Sequence, residues 1–133
     1  MRLKFAYSFF LLVILALTAS AVAQEGHPLT GTWYGDFGSS PTQRNDLTVV
    51  LTWDGKATHG IINPGPDVIQ VRVATLNSSN WTVHFEADAK NKAGGDDHFV
   101  FDGKIENVVA GNRTISGTWK CGTTNGTFRL RRD

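Results

Sequence analysis

The sequence predicts an all-β fold, an eight-stranded antiparallel up-and-down (meander) β-barrel. Three observations carry this expectation. From Leu29 onward, apolar and polar residues alternate with period two through eight successive runs. Short groups of Gly, Asn, Asp, Ser and Pro separate the runs, and none of the runs has a helical period. Each run has one apolar face, so an open sheet would expose that face and two unpaired edges, whereas closure pairs the first strand with the last and turns the face inward. A two-sheet sandwich is the competing architecture for the same strands.

Taken in order, the chain begins with a segment outside the fold. Arg2 and Lys4 form a basic start, Ala6 to Leu17 is almost wholly apolar, and Ala21-Val22-Ala23 supplies the small residues of a signal peptidase site. The apolar run is short for a membrane span of about 20 residues. The expectation is a signal peptide over 1–23 and one β-barrel domain over 24–133, secreted or periplasmic, with no membrane association after cleavage.

Gln24 to Pro28 is a short lead. Leu29 to Phe37 follows as the first strand, with Leu29, Gly31, Trp33, Gly35 and Phe37 on one face. A loop rich in Gly, Ser, Pro and Asn, 38–45, leads to Asp46–Trp53, where Leu47, Val49, Leu51 and Trp53 share a face. Asp54-Gly55 then predicts a two-residue type I′ hairpin into Lys56–Ile62, and the prolines at 64 and 66 end that strand. Val68 to Asn77 places Ile69, Val71 and Val73 inward, and Trp81 to Ala87 places Trp81, Val83, Phe85 and Ala87 inward. Asp88 to Asp97 is polar and glycine-containing, and reads as a long mobile loop. His98–Glu106 turns Phe99, Phe101, Gly103 and Ile105 inward, Arg113–Cys121 does the same with Ile115, Gly117 and Trp119, and Thr127–Arg132 closes the chain with Phe128 and Leu130.

Composition narrows the function. The first 23 residues carry two of the 13 basic residues and none of the 12 acidic ones, so the mature part is close to neutral. Bulk charge therefore offers nothing to nucleic acid. Cys121 is the single cysteine and has no internal partner for a disulfide; it reads as a buried, inert thiol. No Gly-x-Ser-x-Gly elbow, phosphate loop, zincin motif or Cys-His pair is present, so neither an enzyme nor a cofactor is expected. His84, Glu86, Asp96, Asp97 and His98 have the residue types of a metal site, but their spacing fits no strong metal motif and they read as a solvated face and loop. Asn77, Asn80, Asn112 and Asn125 begin Asn-x-Ser/Thr triplets, which also suit turns.

Gly31-Thr32-Trp33 near the start, eight meandering strands and an arginine-rich last strand together resemble the calycin superfamily of lipocalins and avidins. In lipocalins the glycine-x-tryptophan strand lies across the closed end and an arginine of the last strand covers the tryptophan. The resemblance implies that role for Arg129, Arg131 or Arg132 over Trp33. Thr30 to Tyr34 with Gly38-Ser39, and Trp81-Thr82-Val83 with Phe85, are similar to the first and fifth strands of avidin and streptavidin. The biotin-binding residues of that family are largely replaced: Gly35, Ile62 and Pro64 stand at polar positions, Phe85 and Phe101 at tryptophan positions, and Ser39 is the one matched polar group. The resemblance thus implies the scaffold without biotin.

Trp33, Trp53, Trp81, Phe85, Phe99, Phe101, Trp119 and Phe128 all fall on expected inner faces, and such rings either fill a small barrel or line a cup. The candidate ligand-binding residues are Trp33, Ser39, Trp53, Phe85, Phe101 and Trp119. Two functions remain open at this point. One is an exported, non-enzymatic module holding a small hydrophobic or planar ligand inside the barrel. The other is a protein-interaction module resembling the periplasmic lipocalin-like protease inhibitors, with Gln24–Pro28 as the trunk that enters a protease.

Overall fold

The computed structural model describes residues 27–109 and 111–132. The expected signal peptide, and residues 24–26 of the lead, lie outside the described residues. The eight strands are β1 (Gly31–Ser40), β2 (Gln43–Trp53), β3 (Thr58–Ile62), β4 (Ile69–Asn77), β5 (Thr82–Lys90), β6 (Asp96–Glu106), β7 (Thr114–Cys121) and β8 (Thr124–Arg131). Each pairs antiparallel with its chain neighbour, and β1 pairs with β8 from Tyr34 opposite Arg131 to Gly38 opposite Thr127. The barrel is therefore closed, and no helix occurs among the described residues.

Closure buries one continuous apolar core. Leu29, Trp33, Leu51, Val83, Ile105, Ile115 and Leu130 fill one end, while Phe85, Phe101 and Phe128 occupy the middle. Phe85 and Phe101 stack with centroids 4.5 Å apart and planes 7° from parallel, and Phe128 stands edge-on to both at 5.8 and 5.2 Å. Offset and edge-on arrangements of this kind match the ring quadrupoles. Gly103 makes room for this cluster: a Cβ there would stand 2.9 Å from the Phe128 ring.

The end holding Trp33 is sealed. The indole Nε1 of Trp33 donates to the Leu29 carbonyl at 2.9 Å, and the Arg132 guanidinium lies 5.7 Å from the Trp33 ring centroid. Of the three arginines considered for this position, Arg132 occupies it. The same guanidinium donates to the Thr30 carbonyl, and Arg113 donates to the Pro28 carbonyl at 3.0 Å, so the segment before β1 is tied to the residue after β8 and to the β6–β7 connection.

Four local expectations are corrected. The β2–β3 connection is not a two-residue turn: Trp53 pairs with Thr58, and Asp54 organises the four residues between by accepting from the backbone N–H groups of Lys56 and Ala57, each at 2.8 Å. Those bonds, with one from His59, hold the Asp54 carboxyl down at about 2. In β4 the pairing with β5 slips between Val71 and Val73, so one extra residue is accommodated as a bulge. The slip reverses the faces: Val73 is exposed and Ala74 and Leu76 pack on the core. Trp81 is not an inward strand residue but the last residue of the β4–β5 turn, with φ of 59° and 36% exposure. The expected long loop at 88–97 is half strand, leaving five residues, 91–95, closed by the Asn91 side chain accepting from the N–H groups of Ala93 and Gly95 at 3.0 Å. At the β7–β8 hairpin, on the same end of the barrel, Cys121 pairs with Thr124 across a two-residue turn in which Gly122 takes a φ of 60°, suiting a type II′ turn.

Candidate functional site

At the end opposite Trp33 the barrel remains shallowly open. There β1, β3 and β5 finish and β2, β4 and β6 begin, and their inner side chains leave an apolar hollow of about 100 Å³. Phe37, Phe99, Ile69 and Ala89 form its upper wall, and Leu47, Ile62, Ala87 and Phe101 its lower part. Asn63 is the one polar side chain in the lining, and its Oδ1 accepts from the Thr48 N–H at 3.1 Å.

The hollow exists because of residue size. β5 ends in Ala87 and Ala89 on the inner face, where β6 places Phe99 opposite Ala87 and β4 places Val71. Phe37 fixes the rim, meeting Phe99 at 6.3 Å, Phe101 at 6.2 Å and Trp119 at 5.4 Å in edge-on contacts. Trp119 is held in turn by its Nε1 donating to the Gly38 carbonyl at 3.2 Å. Below, the Phe85–Phe101–Phe128 cluster closes the floor, so the hollow does not continue along the axis. Its volume is well under the roughly 300–1,000 Å³ of pockets that enclose drug-sized ligands.

The six residues predicted as ligand-binding fall in separate places. Phe101 lines the hollow, Trp119 supports its rim, and Phe85 lies beneath the floor. Trp33 is completely buried at the sealed end, and Trp53 stacks on His27 at 4.4 Å and 11° near β2's far terminus. Burial lowers the His27 pKa, in keeping with a neutral ring against the indole. Ser39 is exposed on β1, where its hydroxyl donates to Gln43 Oε1 at 3.0 Å. The hollow's own residues, Phe37, Ile69, Ala87, Ala89 and Phe99, were outside that set. The signal that marks them is the coincidence of two inner-face alanines with strand ends rich in phenylalanine, rather than aromatic content alone.

Polar chemistry lies elsewhere. A wider depression of about 480 Å³ sits on the outer surface of the β8–β1–β2 seam between Tyr34, Asp46 and Arg129. It is open to solvent, and its Asp36 carboxylate is already paired with Arg44 at 2.5 Å, so it offers no enclosed, unengaged group. Among the described residues no three His, Cys, Asp or Glu side chains are arranged to hold a metal ion. Cys121 is partly buried against the core, and burial together with the Asp97 carboxylate raises its pKa, which keeps it a thiol. Compared with known proteins, the chain matches no family model, no curated protein and no solved structure.

Proposed function

We propose that this chain is an exported, non-enzymatic binding module of calycin-like architecture that receives a small apolar or planar group in the open mouth of its barrel. The observation that carries the reading is the apolar hollow lined by Phe37, Ala89, Phe99 and Phe101, with the Oδ1 of its single amide already accepting from the Thr48 N–H. A dry apolar cavity of about 150 Å³ accepts benzene, so a hollow of 100 Å³ that is open on one side suits one ring or one branched aliphatic group. The rest of such a ligand would remain outside the barrel. The resemblance to lipocalins and avidins supports the scaffold, and the Arg132–Trp33 contact is the feature of the sealed end that accords with it.

The experiment is a fluorine NMR titration with fluorobenzene. The expected result is saturable binding that disappears in Ala89→Trp, which fills the hollow, while the variant keeps the parent's thermal stability. Failure of the parent to bind up to the solubility limit, together with native mass spectrometry showing no copurifying ligand, overturns the reading.

The size of the hollow also favours a second occupant, a single apolar side chain of a protein partner. A protease-inhibitor trunk at Gln24–Pro28 is less well supported, because His27 stacks on Trp53 and Pro28 accepts from Arg113, which hold that part of the lead against the barrel.

A further inference from the structure

The outer face of β4–β6 carries a continuous strip in which imidazoles and carboxylates alternate. Asp102 Oδ1 lies 2.6 Å from His84 Nδ1, and His84 Nε2 lies 2.8 Å from Glu86 Oε2. The other oxygen of Glu86 is 2.8 Å from His98 Nε2, and His98 Nδ1 is 2.5 Å from Asp88 Oδ1. Asp88 ends the strip by pairing with Arg72 beside the β4 bulge. An ionised carboxylate oxygen accepts hydrogen bonds and cannot donate. A ring with a carboxylate at each nitrogen therefore makes both bonds only when both nitrogens carry hydrogen, as imidazolium.

We propose that this strip is a proton-loaded clamp, which fastens β4, β5 and β6 together while His84 and His98 are charged and loosens when they lose their protons. The clamp lies directly behind the mouth, since Glu86, Asp88 and His98 alternate along their strands with Ala87, Ala89 and Phe99 of the hollow. It does not depend on what the hollow holds. The charged neighbours on the same face are Lys90 of β5, Asp96 and Lys104 of β6 and Lys120 of β7, while β4 contributes Arg72 and the uncharged Thr75 opposite His84.

The direction of the pH dependence follows from the shifts. Hydrogen bonds to Asp102 and Glu86 raise the His84 pKa above its ordinary 6.5, and those to Asp88 and Glu86 raise that of His98. Their stabilisation is complete below 6.5 and is lost as pH rises through the raised folded-state values. The same bonds lower Glu86 and Asp88 below their ordinary 4.5 and 3.8, so their share is present above those values and lost as pH falls through the folded-state ones. The clamp is thus strongest from about pH 5 to 6.5. His27, whose pKa is lowered by burial, acts with the opposite sign below 6.5 and must be subtracted.

The test compares thermal unfolding of the parent and of the double variant His84→Gln/His98→Gln from pH 6 to 9, alongside nitrogen-15 NMR titration of the imidazoles in the parent. The parent's Tm is expected to fall by about 5 °C or more across this range. The double variant's Tm should stay nearly level, and both imidazoles should titrate above 6.5. A parent Tm that is level or rises, an equal fall in the double variant, or imidazoles titrating at or below 6.5 overturns the proposal. If the variant does not fold, the parent's imidazole titration decides alone.

Discussion

Trp33 and Arg132 show how one pair of side chains closes an end of this barrel. The indole is buried with its N–H satisfied by Leu29, and the arginine covers its face while donating to the Thr30 carbonyl. A charged group over a partly desolvated indole contributes on the order of 1–2 kcal/mol. Arg132→Met keeps much of the side-chain volume and removes the charge and the donor, so it is expected to lower stability by about 1–2 kcal/mol in urea unfolding. Phe85 sits deeper, with no exposure and rings on two sides. Phe85→Ala is expected to cost about 3–5 kcal/mol by the same measurement.

At the scale of elements, the alternation of apolar residues was enough to read eight strands and the inward faces of most of them. It failed where pairing or turn chemistry overrides the pattern. The β4 bulge depends on how β4 meets β5, with Val71 opposite Ala87 and Val73 opposite Glu86, and nothing within β4 itself reports that slip. Trp81 continues the alternation of β5 on paper, yet the Asn80 side-chain Oδ1, which accepts from the Thr82 N–H at 3.2 Å, belongs to a turn that carries Trp81 out of the strand. Asp54-Gly55 signalled a hairpin correctly, while the Asp54 side chain lengthened it by capping Lys56 and Ala57. The hollow was least legible, because it is defined by what Ala87 and Ala89 leave empty across strands distant in sequence. The imidazole strip was hidden for the same reason: His84 and His98 share Glu86 only through the β5–β6 register. Register also explains the strand glycines. Gly103→Ala would press a methyl group against Phe128, and is expected to destabilise by about 1–3 kcal/mol while leaving the far-ultraviolet circular dichroism of the sheet unchanged.

For the whole molecule, closure of β1 on β8 removes both sheet edges and forces the large rings inward. Phe85, Phe101 and Phe128 then fill the axis, Trp33 and Arg132 seal one end, and the space left over collects behind Phe37 and Phe99 at the other. The central claim is that this barrel has a filled axis and one small apolar receptacle at its mouth. Diffraction from crystals pressurised with xenon, which enters dry apolar cavities, tests it most directly. The account predicts a single xenon peak bounded by Phe37, Ala89 and Phe99; xenon seated along the axis between Phe85 and Phe128, or an empty mouth, would contradict it.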